Sequence, residues 1–305
     1  MNTLDRSANN TLSIWQVWWL AIRPKTLPAA LSSVIVACTL TWHDGVFRPG
    51  PALAAMAVAL LLQIGSNLAN DVFDYERGVD TEERKGPLRV TQAGLLAPAQ
   101  VKLGMKFVFL AALFVWLYLA WASSWHMLWV GLLAILAALS YTGGPFPFGA
   151  YGFGDPLAFL FFGPVAVAGT YFIQALQVSI AAWWMSLPIG LIITSILVVN
   201  NLRDIATDSA AGRKTLAVRF GATWARREYL GCLLVAYALV PLLIWSGILP
   251  LAAMLCWGSL LVAWPTWRIV RQEDGEILNL ALAGTGKIAL AYSLLFAMGM
   301  LLARL

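Results

Sequence analysis

Uncharged apolar runs approaching 20 residues recur along the whole chain, and that is the length a helix needs to cross a bilayer. The stretch "PALAAMAVALLLQIGS" is one of them. Only 11% of the 305 residues are charged, where a soluble domain would carry about a quarter. The expected fold class is therefore all-α, a polytopic membrane bundle. Nine spans are expected, at roughly 27–42, 51–68, 103–121, 125–141, 154–176, 179–200, 229–245, 249–267 and 283–302. Interfacial Trp and Tyr anchor the ends of the shorter ones. The first residues are not read as a signal peptide, because Asp5, Asn9 and Asn10 interrupt them. "SIWQVWWLAI" places Trp15, Trp18 and Trp19 on one helical face, which predicts a helix lying in the interface within residues 1–26. A single domain over residues 1–305 accommodates the rest.

Lysine and arginine set the expected orientation. With nine spans, 18 of the 20 basic residues fall on one side, leaving Arg48 and Arg304 opposite. The positive-inside rule puts the N-terminus in the cytoplasm of a bacterial inner membrane and the C-terminus outside. The basic excess is thus mainly a topology signal and calls for no nucleic-acid partner, although cations near an anionic leaflet also suit an anionic substrate. Cys38, Cys232 and Cys256 fall inside spans at no metal-like spacing, so neither a disulfide framework nor a zinc site is expected.

Two long loops on the basic side, near 69–102 and 201–228, both begin with acidic clusters. In "NLANDVFD", Asn67, Asp71 and Asp74 stand at i, i+4 and i+7, so they share a helical face. In "NNLRDIATD", Asn200, Asp204 and Asp208 stand at i, i+4 and i+8. Like charges at this spacing repel and call for a countercharge. One such cluster is explained as well by a solvated helix end. Two, each at the end of a span on the same side, point to hard divalent cations, since Mg²⁺ is held by one or two carboxylates together with substrate phosphates. Such a pair would clamp a diphosphate, and "ERKGPLR" and "GRKTLAVR" supply basic groups for its remaining oxygens. A secondary transporter is the rival reading, but transporters place ionisable groups near the midplane, and the span centres here are almost uncharged.

"NLANDVFDYERGVD", "RKGPLR" and "NNLRDIATDSAAGRKTLAVRFG" resemble the signatures of the UbiA-type intramembrane aromatic prenyltransferases. The form with Asn67, Asn70, Asp71, Asp74, Gly78 and Asp80 resembles the MenA branch. "RPKTLPAALSSVIVACTL", "YTGGPFPFGAYGFGD" and "LNLALAGTGKIALAYSLL" extend that likeness over nearly the whole chain. The resemblance implies nine helices around a central cavity open to the cytoplasm. It also implies an Mg²⁺-dependent transfer of a prenyl group from a polyprenyl diphosphate to 1,4-dihydroxy-2-naphthoate, with loss of CO₂. By matching position it implies one metal and diphosphate site at Asn67, Asp71 and Asp74, and a second at Asp204 and Asp208 with Asn200. It implies diphosphate contacts from Arg84, Arg89, Arg203 and Lys214, and an acid at Asp155 that acts on the acceptor, supports the metal or caps its helix. Tyr141 and Thr142 are expected to line the ring pocket, with an interfacial tyrosine as the alternative. Relatives acting on 4-hydroxybenzoate carry a basic residue shortly after that tyrosine, and "YTGGPFPFGAYG" has none, which argues against that acceptor.

Overall fold

The structure, a computed structural model, describes residues 12–79 and 85–304. Among them the chain is almost wholly helical, and no strand occurs. A short helix α1 (Ile14–Ile22) is followed by α2 (Leu27–His43), α3 (Pro49–Glu76), α4 (Pro98–Ala122) and α5 (His126–Ser140). Next come α6 (Gly154–Ala175), α7 (Ile180–Arg203), the short α8 (Ile205–Ala210), α9 (Leu216–Trp245), α10 (Leu251–Gln272) and α11 (Leu278–Leu302). Eight segments are long and apolar enough to cross a membrane, Ile14–His43 counted as one, and α5 is a shorter apolar helix. Together, α2 to α7 and α9 to α11 match the nine expected spans. This is a multi-pass membrane protein.

The helices begin where their sequences say they should. Ser13 caps α1: its Oγ accepts from Gln16 N, and its own backbone N–H donates to Gln16 Oε1, forming a capping box. Ser179 and Thr215 cap α7 and α9 in the same side-chain-to-amide manner. Exposed Trp15 and Trp19 sit on α1 opposite buried Val17 and Ala21, the amphipathic pattern expected of an interfacial helix.

Two departures from regular helix shape the interior. Helix α6 passes through a π-helical turn at Phe161–Val165, which contains Pro164. Ser33 of α2 donates to the carbonyl of Phe162 in this turn. One turn of α6 also touches α7 backbone to backbone. A Cβ on Gly163 would lie 2.7 Å from the Ser186 carbonyl, and one on Gly190 would lie 2.9 Å from Gly163 Cα. Small residues allow such approach between helices in a membrane. The apolar core has one large body, drawn from α2, α7, α9, α10 and α11. A second body joins α1, α3, α4 and the 90–96 loop. Between them runs a cavity.

Candidate active site

The cavity has a volume of about 400 Å³ and two kinds of wall. One end is apolar, lined by Val34, Val58, Trp116, Leu119, Phe162 and Ile173. The other end is formed where α3, α7 and α8 leave the apolar core, and it presents Asn70, Asp74, Asn200, Asp204 and Asp208. Helix α3 continues well past the end of its apolar run, to Glu76, so its last turns carry polar side chains to this mouth.

The acids are buried and arginine-bound. Asp74 accepts from Arg89 Nη2 at 3.0 Å. Asp204 takes both edges of one fork, from Arg203 Nε at 2.8 Å and Nη2 at 2.6 Å. Asp208 lies 3.4 Å from Arg213 Nη1. Burial pushes the Asp208 carboxyl up to about 6; Arg213 opposes this shift, while Asp204 and Asp74 reinforce it. Asp74 and Asp208 line the same cavity, so the two clusters share one mouth. Thr142 donates to Asn70 Oδ1 at 2.9 Å, tying the loop after α5 to α3.

The expected shared face of Asn67, Asp71 and Asp74 is divided. Asn67 turns away from the cavity and donates to the Ile22 carbonyl at 2.8 Å and to Thr26 Oγ1 at 2.9 Å. Asp71, only 1% exposed, accepts from the amides of Val90 at 3.1 Å and Thr91 at 3.0 Å, with Arg23 Nη2 at 3.7 Å. Both clasp neighbouring backbone, and Asn70 and Asp74 are the members of that stretch that reach the cavity.

Three other candidate residues stand back from the cavity. Arg203 is buried behind Asp204 and also donates to Asn200 Oδ1 and Asn279 Oδ1, each at 2.7 Å. Lys214 engages through its backbone, donating to the Ala150 carbonyl at 2.6 Å. Asp155 accepts from Asn201 Nδ2 at 3.3 Å, and it lies in the first turn of α6 rather than at its cap, which is Phe153. Tyr141, Thr142 and Arg89 do line the cavity. Arg84 lies outside the described residues. Asn70 and Arg213, which the sequence offered only as parts of "NLANDVFD" and "GRKTLAVR", line the cavity, as do Arg23 and Lys25, which it did not offer as site residues. The i, i+4 spacing of Asn70 and Asp74 was the available signal for the first.

Among the described residues no three His, Cys, Asp or Glu side chains converge as a ready metal nest. The donor set nonetheless fits a hard cation. Asp74, Asp204, Asp208, Asn70 and Asn200 line one space, and the amide oxygens, which accept from Thr142 and Arg203, each keep a second lone pair. Mg²⁺ takes only one or two carboxylates when phosphate oxygens and water complete its shell.

The comparisons with known proteins agree with this geometry. Residues 30–281 match the UbiA prenyltransferase family. The 1,4-dihydroxy-2-naphthoate octaprenyltransferase of Escherichia coli (strain K12) is 37% identical, over 96% of this chain and 97% of its own. That of Mycobacterium tuberculosis is 43% identical over 72% of this chain and 75% of its own. A UbiA homolog from Archaeoglobus fulgidus, whose structure is bound to DMAPP and Mg²⁺, superposes with a TM-score of 0.65 at 18% identity, covering 93% of this chain and 98% of that one. The helical fold is thus shared with that UbiA homolog, and by the family match and these relatives the chain belongs to the UbiA prenyltransferase family.

Proposed function

We propose that this protein transfers a polyprenyl group from its diphosphate to 1,4-dihydroxy-2-naphthoate with loss of CO₂, giving demethylmenaquinol for menaquinone synthesis. The observation that carries this reading is the division of one cavity into an acidic mouth at Asp74, Asp204 and Asp208 and an apolar interior ending at Trp116. A charged head and a long hydrocarbon tail need that division. The relatives of 33–43% identity that bear the naphthoate octaprenyltransferase name supply the acceptor.

Bound Mg²⁺ would neutralise the diphosphate and stabilise it as a leaving group. Asp74, Asp204 and Asp208, with the amide oxygens of Asn70 and Asn200, are the residues proposed to hold it. Arg89 then faces the departing diphosphate oxygens, and Arg203 holds Asp204 in register from behind. Phe161 and Phe162 wall the space in which the allylic cation forms, keep water from it and offer it aromatic faces. The C–O bond breaks with its electron pair on diphosphate, and the ring carbon bearing the carboxylate forms the new C–C bond. The bond to the carboxylate then breaks, and its electron pair restores the ring as CO₂ leaves. Atoms and charge balance with no net proton to remove, so Asp155, set back against Asn201, is assigned a supporting place beside the site.

The acidic mouth is assigned to the cytoplasmic face of a bacterial inner membrane, where the basic loops lie, and the chain to one domain. The test is purified protein given a polyprenyl diphosphate and 1,4-dihydroxy-2-naphthoate labelled in its carboxyl. Labelled CO₂ should appear in step with prenylated product, stop with EDTA and resume with Mg²⁺. Comparable prenylation of 4-hydroxybenzoate would reject the acceptor, and solute movement across sealed vesicles without diphosphate release would reject the enzyme.

A further inference from the structure

We propose that Arg213 is the receptor for the acceptor's carboxylate, an inference that rests on the naphthoate reading above. An aromatic carboxylate entering a largely apolar cavity needs a cation, because an unpaired buried charge is costly. The loop from Tyr141 to Phe153, which walls the ring pocket, contains no Lys or Arg. Its cation has to come from elsewhere in the chain.

The fold brings one there. Helix α8 ends in a Schellman turn, in which Gly212, at φ 71°, donates to the Ser209 carbonyl and Arg213 N donates to the Asp208 carbonyl at 2.9 Å. The next residues dock on the ring-pocket loop. Lys214 N donates to the Ala150 carbonyl, Arg219 Nη2 donates to the Tyr151 carbonyl at 2.9 Å, and a Cβ on Gly152 would lie 3.1 Å from the Lys214 carbonyl. This contact sets the Arg213 side chain on the cavity wall, within electrostatic reach of Asp208, Asp74, Tyr141 and Asp204.

The other cations of the cavity are placed differently. Arg89 is directed to Asp74, Arg23 reaches back to Asp71 behind the wall, and Lys25 is exposed at the start of α2. Arg213 gives Asp208 one corner of its guanidinium, Nη1, at the long distance of 3.4 Å. Its Nε is buried with no acceptor among the described residues. An arginine with Asp208 at one corner and a buried, unsatisfied Nε has a second edge left to fill, and its fork geometry matches a carboxylate. It would join the acceptor to the same acid that faces the diphosphate, fixing the ring carbon relative to the allylic carbon.

Binding decides the point. 1,4-Dihydroxy-2-naphthoate and its uncharged 2-carboxamide are titrated into wild-type, Arg213→Gln and Arg213→Lys proteins, and the Michaelis constant for prenyl diphosphate is measured alongside. Wild type should prefer the acid to the amide by roughly 10- to 100-fold, the range of a charge-assisted bond. Arg213→Gln should lose that preference while binding the amide as wild type does, and Arg213→Lys should regain part of it. Unchanged amide binding reports an intact pocket. The assignment alone is overturned if wild type prenylates naphthoate yet binds acid and amide equally, or if Arg213→Gln raises the constant for prenyl diphosphate and spares the acid preference. Failure of wild type to prenylate naphthoate, with turnover of another acceptor, overturns the proposed function and this assignment together.

Discussion

Asp71 and Asp74 are one turn apart on α3 and do opposite things: Asp71 clasps the amides of Val90 and Thr91, while Asp74 faces the cavity and receives Arg89 from the same loop. The first carboxylate holds the loop, and the loop delivers a cation to the second.

The consequence for mutants is a split in readout. Asp71→Ala leaves two buried amides without acceptors, each costing about 1–3 kcal/mol, so it should lower the thermal midpoint and the turnover. The Mg²⁺ concentration for half-maximal activity should stay near the wild-type value. Asp74→Asn should do the reverse, raising the Mg²⁺ requirement at least about tenfold with the fold intact, as expected for loss of a carboxylate ligand. Thermal unfolding in detergent and Mg²⁺ titrations of both variants check this. An equal rise in Mg²⁺ requirement in both would return Asp71 to the metal site.

Arg203 carries a stability prediction. It is buried, doubly bonded to Asp204 and tied to α11 through Asn279. Arg203→Ala strands a buried carboxylate, which typically costs 3–5 kcal/mol. Arg203→Lys should recover little, because an ammonium cannot reproduce the planar fork. Both should show lowered thermal midpoints; a wild-type midpoint in Arg203→Ala would show that the pair contributes nothing.

Much of this arrangement was legible in the chain. The nine apolar runs became nine helices because a bilayer-length run leaves few alternatives. The run in α3 ended at Leu68, yet the helix continues to Glu76, since hydropathy reports the membrane and not the hydrogen-bonded ladder. Which side of an acidic face meets the cavity was not legible. Asp71 and Asp74 differ by only about 60° around the helix, and the boundary between two tertiary neighbours falls between them. Arg213 stood within the basic stretch "GRKTLAVR", yet nothing in the sequence set it beside Tyr141. It lies 72 residues from Tyr141, and only the docking of Lys214 on Ala150 brings the two loops together.

Asp208 should make the proposed metal site sensitive to acid. Burial raises its carboxyl to about 6, so below that pH a growing share of the protein holds a proton where a metal ligand is needed. Apparent Mg²⁺ affinity should be steady near pH 8 and fall as pH drops through about 6, approaching tenfold per unit for a one-proton competition. Asp208→Asn should bind Mg²⁺ more weakly and lose this dependence. Mg²⁺ titrations from pH 5.5 to 8 measure it (roughly the span over which such a carboxyl titrates), and a flat wild-type profile would count against Asp208 as a ligand.

The apolar end of the cavity carries the last prediction. Trp116 walls it, held by a bond of 2.5 Å from its indole Nε1 to the Met127 carbonyl and lying flat over Gly131 of α5. A Cβ on Gly131 would sit 2.5 Å from the indole carbons, so Gly131→Ala must push the ring away from α5. The indole has the cavity on its other side, and overpacking of this kind costs about 1–3 kcal/mol when it cannot be relieved. Movement into the cavity relieves it and shortens the space for the tail. Gly131→Ala should therefore lower kcat/KM for a long polyprenyl diphosphate by roughly tenfold while sparing a five- or ten-carbon donor, within the cost just given. Trp116→Ala should remove the wall and tolerate the long donor. The ratio of kcat/KM for long and short donors is the measurement, because a general loss of stability moves both alike. A ratio unchanged in Gly131→Ala would show that the tail leaves the cavity before it reaches Trp116.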